Sequence, residues 1–331
     1  MSVLDSVIRL NQPAARALKA LADSAGPFLE KALGKDGERL FRQPASALQA
    51  VGLGLEAVQR VVDAIPFEWP TVSRAEIAAW VSTEGRTLIS EMHRGIATKL
   101  DEQLRSGASP YLRYAVDSER AVPFVSLFLV SRTLERALDD IANLLPVIRE
   151  PMMPDDASPE ERSRMSLEWA RKLIVTVYFP LVAEPLCAFE SILRNSRIHA
   201  NRENAAVSHF NNSIQRNAPG VQRLSEEFVF VRNAMSHGNS VDIDAIGSAV
   251  LRDKDEVVEL SHENCAALPR RIFRSASELW LAVGLVAAES VTRIADTNDF
   301  AGRLGAAIRD GREFDFDFET AELDTRLNAI A

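Results

Sequence analysis

The side chains best suited to chemistry lie between Leu224 and Gly238. Arg232, Asn233 and His237 put a guanidinium, an amide and a titratable imidazole in one short stretch. Leu224, Phe228, Val231 and Met235 recur at i, i+4, i+7 and i+11, which draws one narrow apolar stripe along a helix. That spacing leaves Asn233 and His237, i and i+4 neighbours, on the outward face, with Arg232 flanking the stripe. On an ideal helix Arg232 and His237 are about 140° apart, so they meet at one phosphate only if the helix stops at or between them. Gly238 supplies such a stop, because glycine suits the left-handed C′ position. A helix C-terminus also favours the imidazolium form that a general acid needs.

A second helix contributes an acid. Leu186, Phe189 and Leu193 form an apolar stripe, and Glu190 lies only about 60° from its centre. A carboxylate there is partly buried and needs a cation. Arg194 at i+4 is one candidate. Arg232 on the motif helix is the other, and the one expected here, since an acid that orients a working arginine supports a site from behind.

These residues need elements to hold them. The sequence reads as helical almost throughout. Helices are expected from Pro13 to about Ala22 and over Ala45–Ile65, with a break at Pro66–Pro70. Ser73-Arg74-Ala75-Glu76 is a capping box opening a helix to about Leu104, and another helix is expected over roughly Ser118–Ile148. Glu150 to Ser158 carries two prolines and three acids and reads as a loop. Ser158-Pro159-Glu160-Glu161 then combines an N-cap, a proline at N1 and an acid at N3. Helices are expected over Ser158–Phe179 and Leu181–His199, kinked at Pro180 or Pro185. Pro219-Gly220 marks a turn before the motif helix. Ser248–Arg252 and Glu256–Leu260 read as a β-hairpin about Asp253–Asp255, and Ser261 caps a long last helix to about Ala295. The expected fold class is therefore all-α with one short hairpin. The expected domains are an N-terminal helical domain of unknown role at 1–155, a second helical domain at 156–300 and an acidic tail at 301–331.

Composition narrows the function classes. Of 331 residues, 47% are apolar and 26% charged, the balance of a globular chain. Residues 1–150 hold 18 basic and 19 acidic side chains, and residues 151–331 hold 20 and 28. The net charge of −9 excludes a nucleic-acid coat, though not a local basic site. Cys187 and Cys265 cannot build a disulfide framework and lack zinc-ligand company. Gly52-Leu53-Gly54 has no strand before it and no lysine after it, so it is not a phosphate loop. The start, MSVLDSVIRL, lacks the continuous apolar core of a secretory signal. The run Leu173–Phe189 contains Glu184, Pro180 and Pro185 and is shorter than the ~20 residues of a spanning helix. The expectation is a cytoplasmic protein with no membrane association, no cofactor and no bound metal. His93, His199, His209 and His262 are scattered on polar stretches.

Arg232-Asn233-Ala234-Met235-Ser236-His237-Gly238 resembles the R-N-x-x-x-H-G signature of the HEPN superfamily (higher eukaryotes and prokaryotes nucleotide-binding). The resemblance covers about residues 160–297. It implies a helical up-down bundle in which the motif arginine and histidine meet across a two-fold dimer, and metal-independent endoribonuclease activity. Phe189-Glu190-Ser191 looks like the acidic position that members carry on an earlier bundle helix. A small hairpin followed by a long helix, as at Ser248–Ala295, also fits. A toxin subgroup carries a tyrosine two places after the histidine, the target of a nucleotidyl-transferring antitoxin. Asn239 stands there in this chain, which puts that control in doubt.

RNA brings its own nucleophile, the 2′-hydroxyl. Its cleavage needs a base, an acid for the 5′-oxygen leaving group, and positive charge on the phosphorane. Two copies of His237 can share the proton transfers, two copies of Arg232 can hold the phosphate, and Asn233 can bond the phosphate or fix the imidazole. Arg194, Arg197, Arg202, Arg216 and Arg223 can add a basic groove. The expected sites are thus Arg232, Asn233, His237 and Glu190. The expected partners are RNA, a second copy of the chain, and an antitoxin or regulatory protein, in prokaryotic defence or growth arrest. The alternative is a non-catalytic HEPN-like helical interaction or ligand-binding module, which would need neither Arg232 nor His237.

Overall fold

The computed structural model describes residues 73–107, 109–148, 151–196, 203–236, 241–312, 314 and 320–330. The helices expected at 13–22 and 45–65 lie outside the described residues, as do the break at 66–70 and His199, His237, Gly238 and Asn239. The described elements are mostly helical, with one small antiparallel sheet. They fall into two units, one from residues 1–97 and 292–318 and the other from residues 98–291 and 319–331.

The first described element of the first unit is α1 (Arg74–Trp80), opened by the expected capping box. Ser73 Oγ accepts the Glu76 N–H at 3.2 Å, and the Glu76 carboxylate accepts the Ser73 N–H at 2.8 Å. One π-helical turn (Val81–Gly85) leads into α2 (Arg86–Ser106). Helix α11 (Phe300–Asp310) packs on α1, and Gly305 permits the approach, since a Cβ there would come within 2.6 Å of the Ala78 carbonyl. Asp299 caps α11 through the Gly302 N–H and takes both arms of the Arg86 guanidinium, at 2.9 and 2.8 Å.

The second unit is built around one long helix from Pro159 to Arg194. It starts as α6 (Pro159–Leu173) with the expected cap, in which Ser158 Oγ accepts the Glu161 N–H at 3.2 Å. It widens into a π-helical stretch (Ile174–Ala183) and ends as α7 (Glu184–Arg194). The sequence reading placed two helices here with a kink. Proline lacks an N–H and crowds the carbonyl four residues back, and the wider i→i+5 turn relieves that crowding around Pro180. The helix therefore continues. Leu167, Leu173, Ile174, Phe179, Val182, Ala183 and Leu186 are fully buried. This is the one described helix long and apolar enough to cross a membrane, and 61% of its most apolar window is buried inside the protein. That burial makes it the unit's core helix.

The helix expected over 118–148 is three helices, α3 (Leu112–Ala121), α4 (Val125–Asp139) and α5 (Ile141–Ile148). Pro123 cannot donate to the ladder, and Phe124 takes a left-handed φ of 67°. The buried Glu119 carboxylate then accepts the N–H groups of Phe124 (2.7 Å) and Ser126 (2.9 Å), which opens α4. These helices pack on the long helix: Trp169 Nε1 donates to the Val147 carbonyl at 2.8 Å. The boundary expected near residue 155 therefore falls inside one unit, because helices on both sides of that loop share a core.

Helix α8 (Glu203–Asn217) precedes the motif helix α9 (Glu226–Ser236). The expected hairpin forms between β2 (Ala249–Asp253) and β3 (Glu256–Leu260), with Val250 opposite Glu259. A further strand, β1 (Val241–Ile243), pairs antiparallel on the other side of β2 and completes the sheet. Ser261 Oγ accepts the Asn264 N–H at 3.2 Å and so caps α10 (His262–Thr297) as expected. The segment read as an acidic tail contains α11 and α12 (Ala321–Ile330), while residues 315–319 of it lie outside the described residues.

Candidate functional site

The motif helix is fixed at its start by side chains from three neighbours. Asn211 on α8 is buried and pairs with both backbone groups of Leu224: its Oδ1 accepts the N–H at 2.8 Å and its Nδ2 donates to the carbonyl at 3.0 Å. Tyr178, in the π stretch, accepts the Ser225 N–H at 3.0 Å and packs edge-on against Phe228 at 4.8 Å between centroids. Arg271 on α10 forms a two-armed bond to Glu227. The buried face of α9 is wider than the stripe read from sequence. Leu224, Phe228 and Val231 are buried as expected, but so are Phe230 and Ala234, while Met235 is only partly covered. The helix packs against both the long helix and β2, so two faces are covered.

Arg232 lies half-buried in the last turns of α9, with Cζ 5.1 Å from the centroid of the Phe179 ring. Asn233 donates from Nδ2 to Asp253 Oδ2 at 3.0 Å, tying the helix to the β2–β3 turn. Ser236, the last described residue of α9, donates its hydroxyl to the Arg232 carbonyl at 2.7 Å. His237 lies outside the described residues, so the geometry places Arg232 and Asn233 of the motif and no imidazole.

Glu190 is completely buried on α7, as its place in an apolar stripe implies. Its partners are not those expected. Oε1 accepts Arg194 Nε at 2.9 Å and Ser213 Oγ at 2.8 Å, and Oε2 accepts the Tyr114 hydroxyl in a short bond. The acid is held by Arg194, one turn along its own helix, and by groups from α3 and α8. The expected pairing with Arg232 is corrected by the path of the long helix. Arg232 docks at Phe179, 11 residues before Glu190, and at 1.5 Å per residue that is a rise of about 16 Å. No side chain closes that gap with a hydrogen bond.

Burial governs the ionisation of this region. Tyr114 is pushed well above the usual phenol value, first by burial and then by the adjacent Glu190 charge. Burial also raises Tyr178, and it raises the Cys187 thiol to about 11 with help from Glu184 and Glu190. Both cysteines are free and buried. Among the described residues no three His, Cys, Asp or Glu side chains converge as metal ligands. Of the arginines read as a possible groove, Arg194 is committed to Glu190, Arg216 and Arg223 are exposed, and Arg197 and Arg202 lie outside the described residues.

A second polar cluster sits where the sheet meets the long helix. The buried Ser163 hydroxyl donates to the Gly247 carbonyl at 2.6 Å and lies 2.8 Å from His262 Nδ1. With that proton used, His262 Nδ1 is the donor of the second bond. His262, read from sequence as scattered, is thus a fixed structural contact.

Sequence reasoning missed Tyr114, Tyr178, Phe179, Asn211 and Ser213 because each acts across helices, and no spacing rule connects residues that far apart. The helix that carries Asn211 and Ser213 did leave a signal: Ala206, Phe210 and Ile214 repeat at four residues and are all buried. Compared with known proteins, the chain matches no family model, no curated protein and no solved structure.

Proposed function

We propose that the chain is a HEPN-type, metal-independent endoribonuclease in which Arg232 and Asn233 bind the scissile phosphate and His237 transfers protons. The observation that supports this reading most is the setting of the motif. Arg232 is partly exposed on a well-anchored helix, and Asn233 beside it is held at the β2–β3 turn. In the sequence, Gly238 follows His237 and suits a helix stop, which would free His237 from the 140° offset that parts it from Arg232 on a continued helix.

In this mechanism one His237 takes the 2′-hydroxyl proton as that oxygen attacks the adjacent phosphorus. A second His237, from a symmetric partner copy, protonates the departing 5′-oxygen. The guanidinium bears the added negative charge of the phosphorane through paired, charge-assisted bonds. Asn233, held to Asp253 in the free protein, reaches the phosphate if that bond opens. Glu190 contributes through the fold, by holding α3, α7 and α8 together. A cytoplasmic setting, a homodimer and a controlling protein partner belong to the same proposal.

The test is incubation of the purified protein with total RNA in EDTA beside a His237→Ala control. Cleavage should persist in EDTA, leave 2′,3′-cyclic phosphate and 5′-hydroxyl ends, and spare DNA. His237→Ala should slow it by about 10²–10⁴-fold, the range for losing a general acid–base. Cleavage that requires added Mg²⁺, or an undiminished His237→Ala protein, would overturn the mechanism. A wild-type protein inert on every RNA would leave the interaction-module alternative.

A further inference from the structure

The widened stretch of the core helix places two adjacent aromatic residues against the motif helix. Tyr178 holds its start, through the Ser225 N–H and the Phe228 ring. Phe179 lies under Arg232, seven residues further along. Phe179 is fully buried, so its ring is fixed by the core and cannot turn away with solvent fluctuations. Turns with i→i+5 pairing occur mostly as short insertions in α-helices, frequently where a site must be aimed. Here the π stretch spans Ile174–Ala183 and includes both aromatics.

We infer that Phe179 is a positioning residue for Arg232. It holds the guanidinium carbon over its ring, 5.1 Å from the centroid, and so fixes where the side chain meets an anion. A guanidinium on a ring face keeps its planar fork, the geometry that a two-point contact with phosphate uses. Without the ring, a long flexible side chain would have to be ordered anew at each binding event. The inference rests on the proposed phosphate-binding role of Arg232 and adds the group that pre-sets it. Lysine cannot replace Arg232 in this arrangement, because an ammonium has no plane to stack and no fork to present.

Two measurements separate this inference from the activity it serves. The first is NMR on the wild-type protein and on Phe179→Leu. The wild type should show contacts between the Arg232 δ and ε protons and the Phe179 ring, with an upfield shift of those protons that disappears in Phe179→Leu. If Phe179→Leu fails to fold, the wild-type contacts alone decide, and their absence overturns the inference. The second is a cycle of Phe179→Leu and Arg232→Gln, read as RNA cleavage rates. Phe179→Leu should lower kcat/KM by about 2- to 30-fold, the worth of a cation–π contact between its exposed and desolvated limits. It should cost almost nothing further in the Arg232→Gln background. Equal losses in both backgrounds would mark Phe179 as a packing residue only and overturn the inference. If the NMR contacts are present while the wild type cleaves no RNA, the ribonuclease reading falls and the positioning of Arg232 stands.

Discussion

Removing the Glu190 carboxylate should unfold more than it inactivates. The carboxylate has no exposure and receives three donors, from Tyr114, Arg194 and Ser213. In Glu190→Ala the Tyr114 hydroxyl is left buried without an acceptor, which costs about 1–3 kcal/mol. The Arg194 contact contributes little, about 0–1 kcal/mol, because its side chain is 38% exposed and water can take over. Ser213, half-buried, adds about 1 kcal/mol. Together the loss should be about 2–5 kcal/mol, a large share of the ~5–15 kcal/mol stability of a folded domain. Glu190→Gln keeps one oxygen for Arg194 and Ser213 and should lose only about 1–2 kcal/mol, chiefly charge assistance. Tyr114→Phe should fall between the two. Combining Tyr114→Phe with Glu190→Ala should cost less than the two losses added, since they share one bond. Urea unfolding followed by circular dichroism measures each, with the slope checked for constancy. A Glu190→Ala protein within about 0.5 kcal/mol of wild type, the range of an ordinary surface change, would refute this account of the buried carboxylate. So would a Glu190→Gln protein of full stability that had lost RNA cleavage, since that result belongs to an acid working at Arg232.

Alkaline conditions should destabilise the protein through its buried tyrosines. Burial, with Glu278 nearby, raises Tyr111 to about 12, and Tyr114 and Tyr178 also lie above their ordinary value of 10.0. Below pH 10 both folded and unfolded chains keep these protons, so the contribution is complete. Above about pH 10 the unfolded chain releases protons that the folded one holds, and stability falls by ~1.4 kcal/mol per pH unit and tyrosine until each folded value is passed. Tyr111→Phe should lessen that slope by one proton between about pH 10 and 12, as read from urea midpoints. Asn211→Ala should cost about 2–4 kcal/mol by thermal or urea melting, because both backbone groups of Leu224 lose their partner; a neutral result would mean that the turn before α9 holds itself. Gly247→Ala should destabilise by about 2–5 kcal/mol, since φ there is +85° and a Cβ would come within 2.6 Å of His262 Nδ1 and 2.7 Å of the Pro159 carbonyl. A Gly247→Ala protein of native stability would show that the β1–β2 turn moves freely off the long helix.

Local chemistry explains what the sequence determined by itself. Ser73 and Ser158 open helices because each cap closes within three residues, and Ser261 begins the last long helix by the same rule. The turn at Asp253–Asp255 and the alternation beside it set the β2–β3 hairpin, for strand pairing across a short turn is also local. The motif helix and its arginine were legible for that reason too. Tertiary structure decided the rest. Glu190 had a cation within reach on its own helix and another on a neighbour, and only the path of the Pro159–Arg194 helix carried Arg232 to Phe179 and left the carboxylate to Arg194, Ser213 and Tyr114. Pro180 reads as a kink, yet the wider turn around it continues the helix and turns Tyr178 and Phe179 toward α9. Residues 98–148 read as part of another domain, yet Tyr114 and Trp169 join the two sides of the 151–158 loop into one core. Periodicity reports which face of a helix is buried. It does not report against what, because that depends on contacts between residues tens of positions apart, which only the folded chain brings together.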